Sequence, residues 1–132
     1  MTGEQQLAAF RQWALTVLDL LGAEADRQAA YLHASKVGAD ELLLQFDDVL
    51  HVARARVGDR SLSHEEYRLL QSVGEYADSV NAGSELMWAD TALGEAVEWR
   101  ELRAAAKAAK ASLESSWSQD DESPELSIGD SY

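Results

Sequence analysis

The chain has no cysteine, a single proline and no long apolar run. Without cysteine there is no disulfide, no thiolate metal ligand and no cysteine nucleophile, which fits a reducing compartment. The one proline, Pro124, stands near the C-terminal end, so residues 1–117 carry no such obstacle to helix. No stretch approaches the roughly 20 apolar residues that a membrane span takes. The opening Met-Thr-Gly-Glu-Gln-Gln has neither the basic start nor the apolar run of a signal peptide. The expectation is a soluble, cytoplasmic protein.

Basic residues are scarce as well. Eleven Lys and Arg face 24 Asp and Glu, for a net charge of −13. Setting aside Asp120, Asp121, Glu122, Glu125 and Asp130 still leaves residues 1–117 with 19 acids against 11 bases, or −8. Duplex nucleic acid and anionic membrane are both gripped through Lys and Arg, so neither is expected as a partner. A basic protein is the charge-compatible alternative. The same acidity also serves solubility. Arginine outnumbers lysine eight to three and alanine is abundant. Both are favoured by GC-rich coding sequence and point to a bacterial source.

What is present is helical patterning. With 132 residues, 46% of them hydrophobic, the chain has the size and apolar content of one domain with a core. The most strongly two-sided stretch is residues 40–57. There Leu42, Leu43, Phe46, Val49, Leu50, Ala53 and Val57 form one stripe at helical period. Glu41, Gln45, Asp48 and Arg56 take the other side, with Asp47 and Arg54 toward the flank. This helix, N-capped by Asp40, is expected to lie centrally, flanked by the second and fifth helices.

The first helix is predicted from about Gly3 to Leu21, started by a Thr2/Gln5 capping box, and the second from about Glu24 to Lys36. Ser63 and Glu66 form a second capping box, with Leu62 and Tyr67 as a hydrophobic staple, at the start of the fourth. Gly22, Gly38, Gly58 and Gly83 stand where helices should end. Gly74, inside the fourth helix, costs about 1 kcal/mol against alanine and permits a close helix crossing. Residues 84–94 read as an irregular, packed connection, in which Ser84 and then Asp90 or Thr91 cap short turns. A fifth helix is predicted from about Glu95 to Ser116, with Trp99, Leu102, Ala106, Ala109 and Leu113 inward. The acidic, serine-rich residues 118–132 have too little to bury and are expected to be a disordered tail. The fold class is therefore all-α: a compact bundle of about five helices over residues 1–117.

No segment carries a specific catalytic signature, and no cofactor is expected. Asp48-Val-Leu-His51 puts a carboxylate and an imidazole on one helix face. A di-iron four-helix site needs two Glu-x-x-His pairs and two further glutamates, and here one pair occurs, with aspartate. Asp47 and Asp48 diverge by about 100° on a helix, so they do not face each other. Asp47, His51 and Arg54 share a face at spacings of four and three, as a helical charge ladder does. No serine elbow accompanies them. Glu95, Glu98 and Glu101 make a further carboxylate row. Most of the four tryptophans are expected in the core, since indole buries a large area, with Trp88 or Trp117 as the candidates for exposed anchors.

In size, acidity, lack of cysteine and helical make-up the chain resembles the small cytoplasmic immunity proteins that neutralise bacterial toxins. That resemblance implies a non-enzymatic protein that binds a basic partner, and it transfers no residue. An accessory subunit has the same profile. The candidate partner-binding residues, taken from predicted exposure, are Glu41, Asp47, Asp48, Glu95, Glu98 and Glu101. The alternative is a metal-dependent or acid–base enzyme centred on Asp47, Asp48 and His51.

Overall fold

The computed structural model describes the backbone of residues 2–130 and the side chains of residues 2–118 apart from Asp90. It contains six helices, five of them seven residues or longer, and no strand among the described residues. They are α1 (Gly3–Leu21), α2 (Ala25–Ser35), α3 (Asp40–Gly58), α4 (His64–Asn81), α5 (Asp90–Glu95) and α6 (Val97–Asp130). A 3-10 turn, Glu85–Trp88, precedes α5.

Both expected capping boxes form. Thr2 Oγ1 accepts from the Gln5 amide at 3.1 Å, and Gln5 Oε1 accepts from the Thr2 amide at 3.0 Å. At α4, Ser63 Oγ accepts from Glu66 N at 3.0 Å and Glu66 Oε1 from Ser63 N at 2.9 Å. Each box satisfies amides that a helix start leaves unpaired. α3 begins differently: Ala39 is its N-cap and Asp40 is its first helical residue. Asp40 and Glu41 in that first turn favour the helix through its dipole. Glycine also does not supply the left-handed helix ends. Lys36, at φ 59°, and Arg60, at φ 66°, take that conformation after α2 and α3.

Four helices form a ring in which α1 packs on α3, α3 on α4, α4 on α6 and α6 on α1. Neighbours run antiparallel. Arg56, near the end of α3, donates to Gln6 O at the start of α1, and Asp19, near the end of α1, pairs with Lys110 of α6. Ser116 Oγ donates to Glu66 Oε2 across the α4/α6 seam, and Arg54 Nε donates to Tyr67 across the α3/α4 seam. α3 is thus one corner of a four-helix bundle, not its centre, and its flanking helices are α1 and α4. The reason lies in α6. Its Trp99, Leu102, Ala106 and Leu113 are fully buried, and its alanines let α1 and α4 both approach. α6 therefore takes the corner diagonal to α3. Each large apolar side chain sealed in this way contributes about 1.5–3 kcal/mol.

The bundle has two unlike ends. One is closed by the short α3–α4 link. At the other, α2 packs on α5 and covers the ends of the bundle helices. Gln28 of α2 fastens this end. It is fully buried, and its Nε2 donates to the last carbonyls of α1, Leu20 O at 3.0 Å and Leu21 O at 2.9 Å. Arg103 Nη1 donates to Gln28 Oε1 and also to Leu93 O. Burial lowers the pKa of Arg103, partly countered by the charge of Glu24, but arginine stays charged. Trp99 Nε1 donates to Met87 O at 2.8 Å, tying the 3-10 turn to α6.

Residues 84–94 therefore consist of two short helical turns. Ser84 caps the first, and Ala89 stands where Asp90 or Thr91 was expected to cap the second. Leu93 is buried, while Leu86 is 77% exposed against the expectation from its apolarity. Trp117 is buried and Trp88 half-buried, and Trp13 is the tryptophan at the surface. α6 extends through Val97–Asp130, so the expected disordered tail over 118–132 is not shown. Side chains from Gln119 onward lie outside the described residues.

Candidate functional site

The acids of α3 divide between two flanks, as their 100° divergence requires. Glu41, Gln45 and Asp48 recur at steps of four and three on the flank toward α2, where Gln45 Nε2 donates to Tyr31 Oη at 2.8 Å. Glu41 is half-buried and Asp48 exposed. Asp47, His51 and Arg54 occupy the other flank, toward α4. There they meet a row of identical spacing on α4: Gln71, Glu75 and Asp78. The two rows line a groove of about 440 Å³, with Leu50 and Gly74 between them and Tyr67 at one end.

A second hollow of about 490 Å³ continues the groove toward the start of α3 and shares Asp47, Leu50, Gly74 and Asp78 with it. Its floor is apolar, from Leu43, Phe46, Ala77 and Trp88, and its rim carries Asp40 and Asn81. The two hollows form one furrow along the α3/α4 seam. It holds four carboxylates, Asp40, Asp47, Glu75 and Asp78, and one guanidinium, Arg54. Arg54 donates to Tyr67 Oη at 3.4 Å, a contact that raises its pKa. Gly74 sets the depth. A Cβ there would come within 2.9 Å of Leu50 Cδ1, so Leu50 lies over the glycine where a side chain would otherwise stand.

Glu95, Glu98 and Glu101 do not join this site. Glu95 ends α5, and Glu98 and Glu101 belong to the first turns of α6. Glu95 and Glu101 are exposed and Glu98 is half-buried. Since α3 and α6 stand at diagonal corners, the structure brings Asp47 together with Glu75 and Asp78 rather than with the α6 row. Among the described residues, the carboxylates of Asp47, Asp48, Glu95 and Glu101 make no ion pair and accept no hydrogen bond. Nor does any group of three His, Cys, Asp or Glu side chains gather there that could hold a metal ion.

Glu75, Asp78, Gln71 and the exposed Leu44 are the furrow residues that the sequence reading leaves out. The 71, 75, 78 spacing was available as a flank beside the Leu70, Val73, Ala77 and Val80 stripe. Only packing tells which helix that flank faces. A larger groove, about 680 Å³, lies along α1 and α6, lined by Glu4, Arg11, Glu114 and Trp117 among others. Its Glu114 is already paired with Lys110 at 3.4 Å. Among the described residues no helix is long and apolar enough to cross a membrane. Compared with protein-family models, with curated proteins and with solved structures, the chain matches none.

Proposed function

We propose that this chain is a non-enzymatic interaction module that binds a basic protein partner, acting in the cytoplasm either as a neutralising protein of the immunity type or as an accessory subunit. The observation that carries the reading is the set of carboxylates without a counter-ion among the described residues, with Asp47 and Asp48 exposed on the two flanks of α3. Charge of one sign on a rigid surface accelerates encounter with a surface of the opposite sign and makes it sensitive to salt.

The test has two steps. The full chain captures partners from lysate of its source, identified by mass spectrometry. Association of the captured protein is then followed against salt for the wild type and for the double reversal Asp47→Lys, Asp48→Lys. The reading expects association several-fold slower and a shallower salt dependence, with an unchanged circular dichroism spectrum. An on-rate indifferent to both salt and reversal would assign the acidity to solubility.

A second reading, a metal-dependent or acid–base enzyme centred on Asp47, Asp48 and His51, draws on the groove that Asp47 and His51 share with Glu75 and Asp78. Asp48 does not line that groove.

A further inference from the structure

We infer that the α3/α4 furrow is the seat of a basic amphipathic helix belonging to the partner, an inference that rests on the reading of the chain as an acidic interaction module. Three observations select this occupant. The first is length. The furrow runs from Asp40 to Arg54 along α3, which at 1.5 Å per residue is about 21 Å, or roughly four helical turns. A helix of that length lies in it along the seam, as an amphipathic helix does in a hydrophobic groove.

The second is the division between floor and rim. Toward the start of α3 the floor is apolar, and Leu44 beside it is 54% exposed. A lone surface leucine is ordinary, but this one borders Leu43, Phe46 and the half-buried Trp88. Asp40, Asp47 and Asp78 rise at the sides of that floor. An apolar ridge flanked by lysine or arginine complements both features at once, whereas a neutral apolar ligand would leave the rim unanswered and an unstructured basic segment would leave the floor uncovered. The third is polarity along the seam. The end nearer Tyr67 carries Arg54 and His51 in place of an apolar floor. The occupying helix therefore directs its apolar, most basic turns toward Asp40 and Asp78 and a neutral or acidic turn toward Arg54.

The experiment uses the full chain and three synthetic tryptophan-free peptides of equal length. One places leucines at helical spacing with lysines on the flanks. The second has the same composition with the order scrambled. The third keeps the leucine pattern and replaces lysine by glutamate. Binding is read by calorimetry and by the change in tryptophan emission from Trp88 at the furrow's end. The amphipathic basic peptide is expected to bind at least about tenfold more tightly than the scramble and to gain helical circular dichroism on binding, with the acidic peptide silent.

Leu44→Lys and Asp47→Lys should each weaken it by about tenfold, while Asp26→Lys and Glu65→Lys, acids outside the furrow and outside the candidate partner-binding set, should change it less than about threefold. All four positions are exposed, and unchanged melting temperatures verify the fold. If the scramble binds as tightly as the patterned peptide, or if Asp26→Lys weakens binding as much as Asp47→Lys, the furrow inference is overturned and the acidic-module reading stands on charge alone. If neither basic peptide binds, both fall. Equal binding of the acidic peptide, or a chain that fills its own furrow as a dimer in ultracentrifugation, also overturns the inference.

Discussion

The α1/α6 seam and the α3/α4 seam join antiparallel helices of the same bundle, yet they treat charge and approach in opposite ways. Along α1/α6, Asp19 is bound by Lys110 at 3.5 Å, Lys110 also reaches Glu114 at 3.4 Å, and Arg27 of the neighbouring α2 closes on Asp19 at 2.8 Å. At the same seam Gly22 lies against backbone: a Cβ there would meet Lys107 N at 3.1 Å and Lys107 Cα at 3.3 Å. Along α3/α4, Asp47 has no such counter-ion among the described residues, and Gly74 lies beneath the end of the Leu50 side chain. Charges neutralised within the chain serve the fold. Those left over raise the self-repulsion of the chain and remain available to a charge of opposite sign.

Four measurements would break or sharpen the contrast. The largest effect is expected between the sealed interior and the furrow's edge. Leu113→Ala, at a fully buried position of α6, should lower the free energy of unfolding by about 2–5 kcal/mol. Leu44→Ala, at the exposed edge of the furrow, should stay within about 0.5 kcal/mol in the same urea titration. Next come the two glycines. Gly22→Ala forces two backbones apart and should cost about 1–3 kcal/mol. Gly74→Ala displaces only the end of Leu50, and the alanine's helical preference should leave it neutral or up to about 1 kcal/mol more stable. Equal losses at both positions would show that the seams are packed alike.

Ser63→Ala removes the α4 cap at the end of the α3/α4 seam and should cost about 1 kcal/mol, read as a shift in urea midpoint at constant slope. The smallest effect belongs to Asp19. Its carboxyl is held below the usual value of 3.8 chiefly by the hydrogen bond from Arg27, with the charges of Arg27 and Lys110 adding to it against the opposing effect of burial. A pKa depressed on folding gives stability that is present above the unfolded value and lost as pH falls through the folded one. With its side chain 42% exposed, the pair has the worth of a surface bridge, about 0.2–1 kcal/mol. The difference between wild type and Asp19→Asn should thus be measurable at neutral pH and vanish in the acid range below 3.8. A difference that persists there would mean that Asp19 acts through something other than its charge.

Much of the fold was legible in residue order. The 3.6-residue stripes of α1, α3, α4 and α6 mark their buried faces, because a helix exposes a fixed side at every third or fourth residue. The two capping boxes could be read because both partners lie within four residues. Gln28 and Arg103 were not legible, since neither residue signals that the carbonyls it meets lie on other helices. The Lys36 and Arg60 helix ends were missed for a related reason: glycines nearby offered the usual signal, and tertiary packing placed the left-handed residue elsewhere.

By itself, then, the sequence determined the helical class, most helix starts, the buried stripes and the acidity of the body, all properties of neighbouring residues or of composition. The ring order of α1, α3, α4 and α6 was decided by tertiary structure, because a stripe records that a face is covered and not by which helix. The furrow follows from that order. Asp47, His51 and Arg54 and their counterparts Gln71, Glu75 and Asp78 are ordinary flank residues on separate helices, and they become one surface only when α3 and α4 lie side by side and Gly74 lets Leu50 lie low between them.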